Sequence, residues 1–437
     1  MFIHREAELE KLNNSYSSIN SALDIIYGAK NIGKTALVNE FSKNKSFIYF
    51  SSYEMISSHF FTNMANTISK HFYGVNTVGK PFNSFEEILL FLLEQDIKEK
   101  LILVLDDFQA ILKTDKQALD VLCKYWKKEL KKKNIHIIIT SSLQFLEFQS
   151  KNEIEAFANN IIKLEYLEFF AIKEFFPNLN KLDQLYIYSL LGTTPANLKY
   201  YNPKIDFTEN IVNLFISPNA YLFEYGVRFL KNEITEVGTY SSILHAIAKG
   251  NKKIGDIAKY LDVKSTYLTR YLLKLSDMMV IKKVIPLGEE KNKNSKYGRY
   301  EISDNTLIFW FLYIYPNLLL LQQNKLEEVS QIIQEEFIKK TVFQSYKKCI
   351  KEIIFSKQET ILGYLPKAIG SWWDNSENNI DIVAHNNKVI TFIQILWEDK
   401  DIAKIAYGKL KSTSDKFETS LEKKYIIVTK NTFFNMK

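Results

Sequence analysis

Eight consecutive residues, Gly28-Ala29-Lys30-Asn31-Ile32-Gly33-Lys34-Thr35, spell a complete G-x-x-x-x-G-K-T. That spacing is suited to gripping a nucleoside triphosphate. Its glycines let the backbone curl so that N–H groups point inward at phosphate oxygens, beside a helix N-terminus that favours anions. Lys34 is spaced to reach the β/γ-phosphates, and the Thr35 hydroxyl to ligate Mg²⁺. The flanks supply the context the motif needs: the apolar run Asp24-Ile25-Ile26-Tyr27 precedes it, and the helical-looking Lys34–Phe41 follows.

A second group lies about 70 residues downstream, where Leu101-Ile102-Leu103-Val104-Leu105 runs into Asp106-Asp107. Five apolar residues predict a central strand, and carboxylates at its C-terminal end lie where open α/β sheets bind ligands. Asp106 is the candidate for the Mg²⁺ shell, and Asp107 stands where a water-activating carboxylate is expected. Its side chain is one methylene shorter than glutamate. The same pair read alone could serve as a solvated turn or helix cap. A third run, Ile135–Ile139, ends in Thr140-Ser141-Ser142, hydroxyls that could contact a γ-phosphate or the attacking water. Ser141 is the candidate nucleotide contact there. His136 within that run reads as a packed histidine. Lys127-Lys128-Glu129-Leu130-Lys131-Lys132-Lys133 closes a helix expected over Lys116–Lys133, where the dipole favours cations, and reads as a solvated helix end.

These residues need a frame. The chain has 437 residues, enough for about three domains, and 46% hydrophobic with 24% charged residues excludes wholesale disorder. Two cysteines, Cys123 and Cys349, cannot build a disulfide framework or a cysteine metal site, and they point to a reducing cytosol. The charged start Met-Phe-Ile-His-Arg-Glu does not resemble a signal peptide, so a cytoplasmic location is expected. The apolar stretch Thr306–Gln322 is broken by Pro316-Asn317 and is too short for a span, so it is expected to be a buried helix and no membrane is expected. The net charge of +7 is modest, and only four of the 57 basic residues are arginine: Arg5, Arg228, Arg270 and Arg299. Apolar runs at Leu23–Tyr27, Phe47–Phe50, Leu101–Leu105 and Ile135–Thr140, separated by helix-length segments, predict a parallel sheet covered on both faces.

The chain resembles a family of archaeal and bacterial AAA-type ATPases. Phe2-Ile3-His4-Arg5-Glu6-Ala7-Glu8-Leu9 is similar to that family's F-x-x-R-E-x-E-L opening. Leu105-Asp106-Asp107-Phe108-Gln109 is similar to its hydrophobic-D-E-F-Q box, and Leu191–Leu198 to its G-G-x-P-x-Y-L lid turn. The resemblance implies an α/β fold: a doubly wound P-loop core over 1–165 and a helical lid over 166–235. A winged helix-turn-helix over 236–318 and a small α/β domain like restriction-type nucleases over 319–437 would follow. Adenine rather than guanine is likewise implied. Such ATPases often use an arginine to stabilise charge on the transferred phosphoryl group. Between Ser141 and Leu164 there is none, and Lys151 and Lys163 are the only cations. Lysine lacks the planar fork, so slow or partner-dependent hydrolysis is expected.

In the third segment, Tyr240–Ala248, Lys253–Leu261 and Ser265–Ser276 have helical spacing, and a strand pair is expected at Val280–Pro286 and Tyr297–Ile302. That order is the winged-helix order, whose third helix can enter a DNA major groove. Lys264, Ser265, Thr266, Thr269 and Arg270 would lie near the start of that helix, and the loop lysines Lys291, Lys293 and Lys296 could reach phosphates. The alternative is a rigid connector to a protein partner or to a second copy of the chain. Asp304 followed by Ile308-Phe309-Trp310-Phe311 resembles the family's bridge into its last domain.

In the last segment, Ile369-Gly370-Ser371-Trp372-Trp373 and Ile380-Asp381-Ile382-Val383-Ala384 resemble the family's nuclease-like region. Active members would show glutamate-x-lysine on the next strand, where this chain has Gln394 and Leu396. Gln344 stands where an upstream glutamate is expected. Asp381 alone remains, with Glu398 and Lys400 close by in sequence. Two anionic ligands and a cation are the minimum for such chemistry, so no nuclease activity is expected. Two functions stay in view: an Mg²⁺-dependent ATPase acting as a nucleotide-driven switch, and a DNA-associated or defence-type regulator that binds ATP but hydrolyses it poorly.

Overall fold

In a computed structural model the described residues are 2–51, 57–76, 82–142, 151–231, 234–289, 296–376, 378–397, 400–417 and 419–435. The wing lysines Lys291 and Lys293, and Glu398, lie outside them. The chain divides into two compact units: Met1–Tyr166 with Asp277–Met279, and Leu167–Ser276 with Val280–Lys437.

The first unit is built on β1 (Ala22–Gly28), β2 (Phe47–Phe50), β3 (Leu101–Leu105), β4 (Ile135–Ser141) and β5 (Asn160–Leu164), in the order β2-β3-β4-β1-β5. Every neighbouring pair is parallel. The continuous apolar runs become two-faced through the period of two along a strand. Leu101, Leu103, Leu105, Ile135, Ile137 and Ile139 enter one core. Ile102, Val104 and Ile138 enter the other. The first core is closed by α3 (Ser57–Tyr73), α4 (Phe85–Leu93), α5 (Phe108–Thr114), α6 (Ala118–Lys128) and α7 (Lys151–Phe157), all of which contribute side chains to it. The second is closed by α1 (Glu6–Ser17) and α2 (Lys34–Ser42), whose Leu12, Leu37, Val38 and Phe41 are buried. Helices on both faces make this the doubly wound α/β sheet expected from the sequence.

One buried polar knot sits inside it. Asp24 on β1 accepts from Ser15 of α1 (3.0 Å) and Asn160 of β5 (2.9 Å), and His136 of β4 lies 2.9 Å away. Asp24 and His136 are fully buried. His136 is thus a packed histidine, four residues before the polar end of its strand.

The second unit begins with short helices, including Lys181–Leu191, Pro195–Leu198 and Tyr225–Lys231. Three helices follow, Val237–Ala248, Ile254–Leu261 and Ser265–Asp277, and then the antiparallel pair β6 (Ile281–Val284) and β7 (Arg299–Ile302). The apolar stretch Thr306–Gln322 is a broken helical segment in which Phe309, Trp310, Phe311, Tyr313 and Ile314 are buried. Among the described residues no helix is long and apolar enough to cross a membrane. The last sheet has four strands, β8 (Ala368–Trp373), β9 (Asn379–His385), β10 (Val389–Ile395) and β11 (Glu422–Val428), ordered β11-β10-β9-β8, and a short helix, Lys430–Asn435, follows it. β8, β9 and β10 pair antiparallel, while β11 runs parallel to β10. β5 and β8 were not read from the sequence: β5 is short and interrupted by Lys163, and β8 is bulged at Gly370/Trp372.

Candidate functional site

β1 ends at Gly28, where added bulk has no room: a Cβ there would come 2.8 Å from the Leu164 carbonyl oxygen of β5. The turn then uses left-handed backbone at Asn31 (φ 65°) and Gly33 (φ 105°), and Gly33 caps α2. That conformation costs a glycine little and an asparagine less than most residues. Ile32 and Ala29 are buried against the core, anchoring the loop, whereas Lys30 is half-buried and Asn31 exposed. The Lys34 ammonium folds back over the loop, donating to the carbonyls of Gly28 (2.9 Å) and Ala29 (3.1 Å). Its side chain therefore spans the cradle that the loop encloses.

β3 delivers Asp106 and Asp107 beside it. Asp106 is buried and Asp107 exposed, with Asp107 in the left-handed region (φ 51°) capping α5. The Thr35 hydroxyl donates to Asp106 Oδ2 at 3.1 Å, bringing the two candidate metal residues together across 71 positions of chain. Thr140, at the end of β4, donates its hydroxyl to Asp106 Oδ1 and accepts the Asp107 backbone N–H at 2.9 Å. Ser141 instead donates to Gln109 Oε1 (3.1 Å), and Gln109 Nε2 bridges Ser142 Oγ (2.6 Å) and Asp107 Oδ1 (3.2 Å). The candidate nucleotide contact Ser141 is thus linked to the acidic pair through Gln109.

Two participants, Gln109 and Tyr49, were not among the candidate site residues. Gln109 was visible only as the last letter of the D-D-F-Q box. Tyr49, on β2, donates its hydroxyl to Asp106 Oδ2. Burial, followed by the hydrogen bond and charge of Asp106, pushes its phenol well above the ordinary tyrosine range. Nothing in Phe47-Ile48-Tyr49-Phe50 separates such a tyrosine from core packing.

The donor set suits Mg²⁺. A hydroxyl and a carboxylate are hard oxygen donors, and Mg²⁺ takes one or two such protein groups together with substrate phosphate. Thr35 and Asp106 would hold the ion, which when bound would neutralise charge between the β- and γ-phosphates.

Other predicted positions are distributed differently. Lys264, Thr266, Thr269 and Arg270 are exposed on the Ser265–Asp277 helix, or just before it, and Ser265 is half-buried. The Arg270 guanidinium, however, lies 3.7 Å from Glu236, donates to the Tyr271 hydroxyl (2.5 Å) and rests 4.6 Å from that ring. Lys296 is exposed. Lys127 pairs with Glu153, and Lys163 with Glu165.

In the last sheet the Asp381 carboxylate is fully engaged. Lys347 Nζ lies 3.0 and 3.1 Å from its two oxygens, and Gln394 Nε2 and the Ile395 N–H each donate to Oδ2 at 2.9 Å. Among the described residues no cluster of three or more His, Cys, Asp or Glu could hold a metal ion. Gln344 is exposed, and Leu396 follows β10.

Comparison with known proteins agrees with this geometry. Residues 2–201 match the model of an ATPase domain found predominantly in Archaea, and residues 310–406 match one for archaeal and bacterial proteins of unknown function. An uncharacterised protein of Methanocaldococcus jannaschii is 30% identical over 98% of this chain and 96% of its own length. An uncharacterised ATP-binding protein of the same organism is 40% identical over 45 residues, covering 10% of this chain and 76% of that protein. Among solved structures, a Walker-type ATPase of Pyrococcus abyssi matches with a TM-score of 0.52 and 19% identity, over 71% of this chain and 96% of that one. This last likeness is one of fold. With its phosphate loop, acidic strand end and near full-length relative, the chain belongs to the family that carries this archaeal-type P-loop ATPase domain.

Proposed function

We propose that the chain binds ATP with Mg²⁺, hydrolyses it slowly or on contact with a partner, and works in the cytoplasm as a nucleotide-driven switch. The observation that carries this is the approach of Thr35 to Asp106 at 3.1 Å, beside a phosphate loop already spanned by Lys34. Backbone N–H groups of Gly28, Ala29, Lys30, Asn31, Ile32 and Gly33 are placed by the motif to surround the phosphates. Lys34 balances charge on the β/γ-phosphates, and Asp107, steadied by Gln109, polarises the attacking water. The side chains named here hold, orient and accept a proton; none supplies an arginine. The decisive measurement is calorimetry with ATP and Mg²⁺ on the native chain and on Lys34→Ala. Heat in the first and none in the second is the expected result, and normal ATP turnover by Lys34→Ala would refute the assignment.

The regulator reading is favoured by one observation of its own. Three helices followed by the β6/β7 pair leave Lys264, Thr266 and Thr269 exposed at the start of the third helix, which suits a winged helix meeting duplex DNA. Arg270, exposed on the same helix and paired only at the surface with Glu236, would join that contact. A mobility shift with random duplex at low salt, with and without ATP, separates the readings, and no shift in either condition removes DNA. The same module could instead dock a protein partner or a second copy. Beside Lys347, the Asp381 carboxylate is met by the Gln394 amide and the Ile395 N–H rather than by a second carboxylate, which supports a nuclease-like domain without nuclease chemistry. Mg²⁺-dependent nicking that disappears in Asp381→Ala would overturn that view.

A further inference from the structure

We propose that Tyr49 is a positioning residue for the metal, fixing the Asp106 carboxylate so that it receives Mg²⁺ with the nucleotide. The inference rests on the Mg²⁺–ATP reading above and adds to it a residue outside the phosphate-loop and acidic-pair motifs.

The geometry follows from strand register. Tyr49 of β2 is paired with Val104 of β3, two residues before Asp106. Parallel partners in register share a face, as do Val104 and Asp106 on their own strand. Asp106 therefore lies about 6–7 Å farther along the face that Tyr49 occupies, at ~3.3 Å per residue. A long side chain lying along the strands covers that gap. The ring packs on the core that α1 and α2 close, and the hydroxyl ends on Asp106 Oδ2. Phenylalanine would keep the packing and lose the bond to Asp106, together with the hydroxyl's hydrogen bond to Thr35, the other candidate ligand.

Asp106 thereby accepts from three hydroxyls carried by three different elements: Thr35 on α2, Tyr49 on β2 and Thr140 on β4. Two of them share one carboxylate oxygen. Donors to a carboxylate shorten and strengthen when the acceptor is charged, and together they fix its plane. This matters because Asp107 follows immediately, and two adjacent carboxylates repel in the absence of a cation. Mg²⁺ demands near-ideal octahedral geometry and usually keeps several waters, so an acceptor that is turned or mobile loses affinity. Thr35 is itself a candidate ligand, and Thr140 also holds the Asp107 N–H. Tyr49 is the one of the three whose hydroxyl is bonded to the carboxylate without being part of the loop or of the β4 terminus. Groups of this outer kind typically contribute ~10–100-fold to metal affinity.

The test is calorimetric titration of a non-hydrolysable ATP analogue into the full chain, once with Mg²⁺ and once with EDTA. Tyr49→Phe is compared with the native chain and with Tyr16→Phe, a matched control whose phenol lies on the same core but donates to the Lys100 carbonyl. The expected result is that Tyr49→Phe keeps the EDTA affinity and loses about tenfold of the gain conferred by Mg²⁺, while Tyr16→Phe loses neither. An undiminished Mg²⁺ gain in Tyr49→Phe overturns the proposal. So does an equal loss in both conditions, which would make the phenol a packing element. Absence of analogue binding by the native chain would instead refute the ATP reading, and is recognised because it precedes any comparison of variants.

Discussion

Asp107 is where one methylene has the greatest consequence. Its side chain is shorter than the glutamate usual at such a position, and Gln109 holds Oδ1 at 3.2 Å. If Asp107 polarises water, Asp107→Asn lowers the single-turnover hydrolysis rate by about 100-fold or more and leaves ATP affinity within a few-fold. Asp107→Glu restores reach and is expected to raise the rate; equal rates for native and Glu variants would place the nucleophile's partner elsewhere. Glu301 on β7 gives a residue-scale pH prediction. Burial works against its charge, but the attraction and hydrogen bond of Lys252, with Lys282 and Lys351 nearby, bring its carboxyl down to about 2. The unfolded glutamate titrates near ~4.3, so the ion pair's stabilisation is whole above that pH and fades as pH falls toward 2. Melting temperature measured from pH 6 to 3 should fall less steeply in Glu301→Gln than in the native chain.

Between elements, two contacts can be tested directly. Asp24 joins α1, β1, β4 and β5 through Ser15, His136 and Asn160. Asp24→Ala leaves the buried Ser15 hydroxyl and the buried His136 imidazole without their carboxylate and should cost about 3 kcal/mol or more by denaturant unfolding. A loss below ~0.5 kcal/mol would mean the knot contributes little. In the second unit Gly226, on the Tyr225–Lys231 helix, lets the Trp310 indole lie against the backbone: a Cβ would sit 2.2 Å from the ring. The same indole donates to the Phe223 carbonyl at 2.8 Å. Gly226→Ala gains helix propensity and still loses stability, by about 1–3 kcal/mol, because the indole is fully buried and cannot retreat. A variant as stable as the native chain would show that the contact yields.

At the scale of the molecule, the nucleotide elements lie in the first unit, whereas the three-helix module and the last sheet lie in the second. A ligand that binds only folded protein stabilises by mass action, about 2.7 kcal/mol at one hundred times its Kd. For a unit of 150–250 residues that corresponds to roughly 5–10 °C of melting temperature. ATP with Mg²⁺ should therefore raise the first unit's transition by about that much in the native chain and not at all in Lys34→Ala. A shift that survives in the variant would place the stabilising ligand away from the phosphate loop.

Much of the ATPase core was legible because its signals are local. A G-x-x-x-x-G-K-T between an apolar run and a helix, and apolar runs ending in Asp106-Asp107 and Thr140-Ser141-Ser142, mark the phosphate loop and strand ends by composition alone. Alternate-face burial of Leu101–Leu105 follows from the period of two once both faces are covered. What only tertiary structure decided are contacts between residues far apart in sequence. Tyr49 reads as one more aromatic in Phe47–Phe50 until register with β3 aims it along the sheet at Asp106. The partners of Arg270 and Asp381, Glu236 and Lys347, lie 34 positions away along the chain in each case and are brought against them only by folding. Periodicity specifies which face a side chain occupies, whereas strand order and helix packing specify what waits for it there.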